Sequence, residues 1–291
     1  MKVLITGANG QLGYELQRHY PAHIDLIATD YDTLDITNFS HINRVFALYQ
    51  PDVVINAAAY TGVDQAENDK QIAWMLNATA PGLLAQACQQ QGCRLIQIST
   101  DFVFDGEQST PYLPDARCAP LGEYGKSKYA GEQAVQEYLP SALIIRTSWL
   151  YSAHGGNFVK NILRLISERE QLNVVYDQIS SPTWAHTLAY CIWVLLEKKV
   201  QGIYHCADNG IASWYDFAIT IQQIALSLNL LEKAIPIKPI RSSAYPTPAQ
   251  RPAYSVMDKT STEAYLDSSL PHWKSSLHNM LAELRTCLRF S

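Results

Sequence analysis

A tyrosine, Tyr124, and a lysine, Lys128, stand four positions apart in this sequence. Residues four apart lie on one face of a helix, so the two side chains are predicted to face the same space. A carbonyl that is being reduced develops negative charge on its oxygen. A tyrosine hydroxyl can supply the proton if a nearby ammonium lowers its pKa toward neutrality. Chance alone gives roughly 0.6 such pairs in a chain of this composition, so the pair needs support from its surroundings.

A candidate partner for this pair is Thr100, in the segment 96–101 that ends a predicted strand with hydroxyl side chains. Side chains at the carboxyl ends of parallel strands line the ligand crevice, so Thr100 is placed to hydrogen-bond a substrate carbonyl. A lone threonine more often caps a strand. Its place upstream of Tyr124 on the same predicted sheet favours the catalytic interpretation.

Three glycines, Gly7, Gly10 and Gly13, follow the first predicted strand and open a helix. Glycines allow a sharp turn close to a pyrophosphate, and the free amides at the helix start hold its charge. A plain glycine turn is the simpler alternative. The place of the motif, between elements of the correct type, favours binding of a nicotinamide dinucleotide.

Asp30 ends the second predicted strand, where dinucleotide folds place the acid that binds the ribose hydroxyls. Its charge disfavours a 2′-phosphate, and neither arginine nor lysine stands at positions 9, 11, 31 or 32 to bind one. The local chemistry favours NADH, or tolerance of both NADH and NADPH. An exposed aspartate without this role is the alternative.

The first half of the chain alternates short β-branched runs with longer helical patterns, as a parallel sheet covered on both faces does. The predicted strands are 2–6, 25–30, 52–56, 94–99 and 143–147. The predicted helices are 12–20, 40–49, 70–77, 80–91 and 124–138. We therefore predict an α/β fold with a doubly wound, Rossmann-like parallel sheet.

The pattern becomes less regular after residue 151. The predicted helices there are 158–168, 187–198 and 214–228, and the extended segments are 173–176, 202–206 and 235–240. We expect 1–151 to bind the dinucleotide and 152–291 to form mainly a smaller substrate lobe, with segments near 173–212 returning to the first domain. Prolines predict a loop at 245–252, and a second loop, 106–122, is a candidate flap over the site.

The composition excludes several classes of protein. A hydrophobic content of 47% in 291 residues allows a substantial core. A formal net charge of −5, with 22 Lys and Arg spread along the chain, argues against nucleic-acid binding. The lack of a long apolar run or a signal-peptide pattern predicts a cytoplasmic protein without a membrane segment. Scattered cysteines predict reduced thiols, and eight histidines without metal-ligand spacing predict packing or surface roles.

An ordered set of motifs resembles the dTDP-4-dehydrorhamnose reductases, members of the extended short-chain dehydrogenase/reductase superfamily. Besides the glycine loop and the 124–128 pair, the motifs are Asn56-Ala57-Ala58-Ala59-Tyr60-Thr61, Ser99-Thr100-Asp101-Phe102-Val103-Phe104-Asp105-Gly106, Arg146-Thr147-Ser148-Trp149, Gly156-Asn157-Phe158, Asp177-Gln178, Ser181-Pro182-Thr183 and the 245–252 loop. The resemblance covers nearly the whole chain. It implies reduction of the 4-keto group of dTDP-6-deoxy-L-lyxo-4-hexulose by NADPH or NADH, giving dTDP-L-rhamnose, in a monomer or homodimer.

Together with the motifs described first, the resemblance implies three sets of site residues. The catalytic residues are Thr100, Tyr124 and Lys128. The cofactor-binding residues are Gly7, Gly10, Gln11, Leu12, Gly13, Asp30, Asp35, Ile36, Ala57, Ala58 and Ala59, with Tyr124 and Lys128. The substrate-binding residues are Thr61, Val63, Asp101, Phe102, Trp149, Asn157 and Arg251, with Thr100. A guanidinium suits bidentate binding of phosphate oxygens, so Arg251 is expected near the diphosphate.

Two departures from the family pattern carry consequences. Some members bind Mg²⁺ at a homodimer contact through a glutamate in the first helix and acidic residues on the helix after the Pro-Thr motif. Glu15 matches the first, but residues 185–190 contain no carboxylate, and Mg²⁺ prefers oxygen ligands. We therefore expect no such metal site, which leaves the dimer built around it open. The other departure is Ser180, where the family usually has glycine, and we expect it to touch no catalytic role.

Two alternatives stay open. A related reductase or epimerase acting on another nucleotide sugar would share the glycine loop and the Tyr-Lys pair. A dehydratase would need an Asp-Glu pair where this chain has Asp101 and Phe102. A non-catalytic regulatory subunit on the same scaffold, as occurs for a methionine adenosyltransferase partner, is disfavoured because Thr100, Tyr124 and Lys128 are all present.

Overall fold

The computed structural model describes residues 1–289, with side chains as far as Cys287. The strands are β1 (Lys2–Thr6), β2 (Asp25–Ala28), β3 (Val53–Asn56), β4 (Arg94–Thr100), β5 (Leu143–Thr147), β6 (Leu150–Tyr151), β7 (Leu172–Val175), β8 (Ile179–Ser180), β9 (Thr183–Trp184), β10 (Gly202–His205), β11 (Ala212–Ser213) and β12 (Ile237–Ile240). The α-helices are α1 (Gln11–Arg18), α2 (Phe39–Tyr49), α3 (Lys70–Trp74), α4 (Ala80–Gln91), α5 (Glu123–Tyr138), α6 (Phe158–Glu168), α7 (Ala185–Glu197), α8 (Trp214–Ser227), α9 (Thr260–Glu263) and α10 (Trp273–Arg289). Within the described residues, no helix is both long enough and apolar enough to cross a membrane.

Six of the strands form one parallel sheet in the order β10-β5-β4-β3-β1-β2. The chain winds from β1 outward in both directions, so a crevice opens between the carboxyl ends of β1 and β3. This arrangement confirms the predicted α/β fold with a Rossmann-like sheet. Predicted strands 2–6 and 143–147 have the bounds found in the structure, and the others differ by a few residues at their ends.

The central strands are apolar along their whole length because helices cover both faces of the sheet. On β1, Val3 and Ile5 pack with Leu16 of α1 and with α7 in one core. Leu4, between them, points to the opposite face and packs with Phe46 of α2 in another. Burial on both faces stabilises the strands by roughly 25 cal/mol for each Å² of apolar surface removed from water, an upper estimate. The strand ends therefore offer a rigid platform for a site.

A third hydrophobic core lies in the later half of the chain, where α6, α8 and α10 pack with β7 and β12. Trp273, at the start of α10, is buried there and meets the ring of Phe217 edge-on, with centroids 5.7 Å apart. The later half also contributes to the large sheet, because β10 pairs with β5 and α7 packs against α1. The sequence analysis predicts neither α9 nor α10.

Helix α5, which carries Tyr124 and Lys128, packs at backbone distance against the segment before α4. The predicted helix 70–77 is α3 followed by a π-helical turn, Met75–Thr79. A Cβ built on Gly131 of α5 would lie 2.0 Å from the carbonyl oxygen of Asn77 in this turn. Glycine at position 131 therefore determines how closely α5 approaches its neighbour, and with it the position of the two predicted catalytic side chains.

The loop 106–122, the candidate flap, is anchored at several points. Tyr112 is buried, its hydroxyl donates to Asp105 at 2.6 Å, and its backbone N–H donates to the carbonyl of Val256. Nη1 of Arg146 donates to the carbonyl of Pro114 at 3.0 Å. Within the described chain, no residue of this loop lines the cavity at the strand ends. The structure therefore gives no support to the flap hypothesis.

Candidate active site

A cavity of about 800 Å³ opens at the carboxyl ends of the sheet strands. Every residue predicted as catalytic, cofactor-binding or substrate-binding lines it, except Gly13. A Cβ at Gly13 would lie 2.2 Å from the carbonyl oxygen of Gly7 and 2.7 Å from Cα of Ala8. A side chain there would push α1 away from the loop before it, so Gly13 shapes the cavity from behind rather than lining it.

The glycine loop between β1 and α1 presents backbone amides to this cavity. Gly7 has a φ of +68°, and a Cβ there would lie 2.8 Å from Cα of Ala58 in the neighbouring turn. Gly10 is the N-cap of α1 and has no side chain to occupy the first amides of the helix. An anion such as a pyrophosphate fits a helix start of this kind.

Asp30 lies beside the glycine loop, just after β2. Its Oδ2 accepts a 2.8 Å hydrogen bond from the N–H of Asn9, and its Oδ1 accepts one of 2.8 Å from the N–H of Tyr31. Within residues 1–289, the basic side chains that line the cavity are Lys128 and Arg251. Asp30 therefore places a negative charge at its end of the cavity.

A ladder of buried polar side chains joins the ends of three neighbouring strands. Thr6 Oγ1 donates to Asn56 Oδ1 at 2.6 Å, and Asn56 Nδ2 donates to Gln97 Oε1 at 2.7 Å. All three side chains are buried. The turn at 57–59 follows Asn56 directly, so these bonds fix it beside the glycine loop.

Thr100, Tyr124 and Lys128 meet at the carboxyl end of β4. Tyr124 lies in the first turn of α5 and Lys128 one turn later, as the spacing predicts. Lys128 Nζ donates to the carbonyl oxygen of Ile98 at 2.7 Å. Thr100 Oγ1 accepts from the N–H of Phe102 at 3.2 Å, and the Phe102 ring meets the Tyr124 ring edge-on with centroids 5.6 Å apart. These contacts hold the three side chains around one point of the cavity.

Burial shifts the pKa of both members of the Tyr-Lys pair. It raises the pKa of Tyr124 to about 12. It lowers the pKa of Lys128 to about 8, although the negative charge of Glu132 acts in the opposite direction and raises it. The prediction that Lys128 lowers the pKa of Tyr124 toward neutrality is therefore wrong for this structure, because desolvation of the phenolate dominates. At pH 7 the Tyr124 phenol therefore keeps its proton and the Lys128 amine is mostly charged. These are the two protonation states that a proton donor with an ammonium partner requires.

Asp101 lines the cavity, but hydroxyl groups of the protein bind its carboxylate. Its Oδ2 accepts from Ser255 at 2.5 Å and from Ser180 at 3.2 Å, and its Oδ1 accepts from Thr100 at 3.2 Å. Burial raises the pKa of Asp101 to about 6 despite these bonds. Ser180 is therefore one carboxylate away from Thr100, and the expectation that it touches no catalytic role stays a prediction.

Aromatic rings wall the other end of the cavity. Trp149 has a φ of +43°, and its ring stacks on that of Trp214 with centroids 3.4 Å apart. Phe158 packs against Trp214 at 4.5 Å. Trp149 is among the predicted residues, whereas Trp214 and Phe158, which also line the cavity, are not. The available signal for them is weak, because an aromatic residue at a helix start is usually only a packing residue.

Arg251 reaches the cavity from the proline-rich loop and is paired with Asp64. Its Nη1 and Nη2 donate to the two carboxylate oxygens at 3.0 and 2.8 Å, and Nη1 also donates to Thr247 at 2.7 Å. The Arg251 guanidinium holds the pKa of Asp64 below its usual value. These bonds use the Nη atoms, so the Nε edge of the planar fork faces away from Asp64 and suits a phosphate oxygen.

Asn157 links the two halves of the site. It is the N-cap of α6, where its Oδ1 accepts from the N–H of Lys160 at 3.1 Å. Its Nδ2 donates to Gln11 Oε1 at 2.9 Å and to the carbonyl of Ser152 at 2.7 Å. The side chain therefore ties the first turn of α1 to the start of α6.

The side chains at the position of the resembling family's Mg²⁺ do not fit Mg²⁺. Glu15 is buried on α1, and among the described residues the potential ligands grouped with it are His19 and His186. One carboxylate and two imidazoles are a poor set for an ion that requires octahedral oxygen coordination. Nitrogen-rich sets of this kind suit transition metals instead.

Comparison with known proteins agrees with the geometry. The profile of the family described as RmlD substrate binding domain matches residues 1–286. The dTDP-4-dehydrorhamnose reductase of Salmonella typhimurium is 38% identical over 295 residues, which cover 98% of this chain and 99% of that protein.

Solved structures lead to the same family. The crystal structure of a dTDP-4-dehydrorhamnose reductase from Clostridium acetobutylicum is 40% identical, with a TM-score of 0.92 over 98% of this chain and 100% of that one. The structure of the dTDP-4-dehydrorhamnose reductase from Bacillus anthracis in complex with NADP is 39% identical, with a TM-score of 0.92 over 97% of this chain and 99% of that one. From its sequence, its fold and the residues around its cavity, the chain belongs to the dTDP-4-dehydrorhamnose reductase family.

Proposed function

We propose that this chain reduces the 4-keto group of dTDP-6-deoxy-L-lyxo-4-hexulose with NADPH or NADH, giving dTDP-L-rhamnose. The observation that carries the proposal is the convergence of Thr100, Tyr124 and Lys128 in the cavity that also contains the glycine loop. The names of relatives that match nearly the whole chain support the choice of substrate.

In this proposal Tyr124 is the general acid. A bound nicotinamide supplies the hydride that reaches carbon 4 of the sugar. Tyr124, which keeps its proton at neutral pH because its pKa is about 12, donates that proton to the developing alkoxide. Thr100, whose hydroxyl donates to Asp101 in this structure, turns that hydrogen toward the same oxygen when the sugar is bound. Lys128, one turn later on the same helix, offsets part of the cost of burying the phenolate because an ammonium on the same helix face stabilises that charge as it forms.

Asp30 sets the cofactor preference. Its carboxylate lines the cavity beside the glycine loop, and such a group accepts from a ribose hydroxyl and repels a 2′-phosphate. The Bacillus anthracis relative binds NADP, so the family pattern accommodates the phosphate. We infer that this chain accepts both dinucleotides and that Asp30 favours NADH.

The sugar nucleotide occupies the end of the cavity formed by the later half of the chain. Arg251 binds the diphosphate through its free edge, and Trp149 faces the sugar. We infer that 1–151, with segments near 173–212, hold the dinucleotide and that 152–291 hold mainly the substrate. A cytoplasmic location and a monomeric or homodimeric state stay predictions from the sequence.

The test is an assay of the purified chain with the dTDP-linked keto sugar. We expect oxidation of NADPH and NADH that depends on the sugar, with dTDP-L-rhamnose identified by NMR as the product. A different sugar product would assign the chain to a related reductase or epimerase. Absence of any oxidation, with cofactor binding retained, would favour the non-catalytic alternative and contradict the proposal.

A further inference from the structure

Three potential metal ligands converge on α1, outside the residues that line the cavity. Glu15 Oε2 lies 3.9 Å from His19 Nε2 and 3.9 Å from His186 Nδ1. The three ligand atoms lie within 4.8 Å of one another. Glu15 belongs to α1, His19 is the C-cap residue of that helix, and His186 lies in the first turn of α7, so the cluster joins two helices that pack together.

Glu15 is the unusual member of the cluster because its side chain is fully buried, with 0% exposure. Its Oε1 accepts a 2.9 Å hydrogen bond from the hydroxyl of Ser152, which fixes the plane of the carboxylate. Its Oε2, turned toward the imidazoles, has no hydrogen-bond partner among the described residues. A buried charged oxygen without a partner is costly, so a cation bound at this point would stabilise it.

The neighbouring positive charge of Arg18 meets that need only in part. Arg18 Nη1 lies 3.8 Å from Glu15 Oε2, beyond hydrogen-bonding distance, and its guanidinium is hydrogen-bonded to Glu283 of α10. Its charge is thus shared between two carboxylates. His19 and His186 have side chains 42% and 36% exposed, so an ion can enter from solvent.

The ligand set selects the class of metal. Zn²⁺ binds histidine nitrogen at about 2.0–2.1 Å and carboxylate oxygen at about 2.0–2.2 Å, so ligand atoms in a tetrahedral site lie about 3.3 Å apart. The 3.9 Å separations in this cluster are close to that spacing. Imidazole suits Zn²⁺, whereas Mg²⁺ is held by oxygen ligands. A water molecule can complete the fourth position.

We propose that Glu15, His19 and His186 form a binding site for a divalent transition-metal ion of the Zn²⁺ class, which links α1 to α7. The two histidines come from opposite halves of the chain, so sequence spacing could not pair them. The site is independent of the proposed function, since none of its ligands lines the cavity. Its link to the active site is Ser152, which donates to Glu15 and whose carbonyl accepts from Asn157.

The experiment uses Zn²⁺ alone as the probe, on the full chain purified without a polyhistidine tag and stripped with a chelator. We expect one Zn²⁺ per chain by calorimetry and elemental analysis, and a rise in Tm on adding Zn²⁺. Co²⁺ in its place is expected to give the visible absorption of a four-coordinate site. Mg²⁺ at the same concentrations is expected to leave the Tm unchanged.

Matched variants connect the metal to the cluster. His19→Ala and His186→Ala each remove one ligand, and His278→Ala removes an exposed histidine elsewhere as the control. We expect the first two to weaken Zn²⁺ binding at least tenfold and to abolish the Tm rise, with the Tm of the metal-free protein close to that of the parent chain. The control is expected to bind like the parent. Unchanged Zn²⁺ affinity in both ligand variants, or no binding by the parent, overturns the proposal.

Discussion

The two ends of the active-site cavity are built in different ways. At the glycine-loop end, the residues lie at or just beyond the ends of neighbouring strands of one sheet, as Asp30 follows β2 by two positions. At the aromatic end, side chains are placed by partners far along the chain. Arg251 is bound by Asp64, and Trp149 stacks on Trp214. The first end depends on local geometry and the second on the packing of both halves.

Because of this difference, we expect substitutions at the two ends to have different kinetic effects. Substitutions at the glycine-loop end should change the rate of the chemical step or the binding of the cofactor, because the strand ends hold those groups rigidly. Substitutions at the end built from long-range pairs should change the binding of the sugar nucleotide. Kinetics that separate kcat, KM for the sugar and KM for the dinucleotide can therefore test the comparison.

Tyr124→Phe should have the largest effect. It removes the proposed proton donor and leaves the ring that contacts Phe102. General acid catalysis contributes roughly 10²- to 10⁴-fold, so we expect kcat to fall within that range while the Kd for NADH changes little. Tyr129→Phe, on the same helix but outside the cavity lining, is the control. Near-full turnover of Tyr124→Phe would remove this residue from the role.

The features that could be predicted from the sequence are the local ones, and those that could not depend on long-range contacts. Strands 2–6 and 143–147, the glycine loop and the Tyr-Lys pair are defined by short-range patterns, and the structure has them where predicted. The pKa of Tyr124 could not be predicted, because burial depends on the whole fold. The Arg251–Asp64 pair also escaped prediction, because no local pattern connects residues so far apart.

Arg251→Ala should have the next largest effect, on the end built from long-range pairs. Loss of the guanidinium would remove the proposed phosphate contact, so we expect KM for the dTDP-sugar to rise about tenfold or more, which corresponds to about 1.4 kcal/mol. The KM for the dinucleotide should stay near that of the parent. Arg241→Ala, an exposed arginine hydrogen-bonded to Tyr176, is the control. Equal increases in both KM values would break the comparison.

The substitution Asp64→Asn tests whether the ion pair between Arg251 and Asp64 positions the Arg251 side chain. The amide keeps an oxygen that can accept from the N–H of Ala249 but loses the charge that faces the guanidinium. We expect a smaller rise in KM for the sugar than Arg251→Ala causes. A decrease in this KM would show instead that Asp64 competes with the diphosphate for Arg251.

The pH dependence of kcat/KM tests the proposed role of the Lys128 ammonium. Burial lowers the pKa of Lys128 to about 8, so the ammonium is present below that pH and lost above it. We expect kcat/KM to be flat toward neutrality and to fall about tenfold per unit on the alkaline side. Lys128→Arg keeps its charge to pH 12 or so, and should move this limb to higher pH whatever its absolute rate. An alkaline limb that stays in place would assign it to another group.

Asp30→Ala should have the smallest effect. It separates two ways in which this carboxylate can influence cofactor binding at the glycine-loop end. The carboxylate is proposed to repel a 2′-phosphate, and it accepts hydrogen bonds from the N–H groups of Asn9 and Tyr31. If repulsion dominates, the ratio of kcat/KM for NADH to that for NADPH should fall about fivefold, or about 1 kcal/mol. Asp32→Ala, an exposed aspartate two positions later, is the control. An equal loss with both dinucleotides would mean that Asp30 acts only by holding the loop, and the preference for NADH would then lack a physical cause.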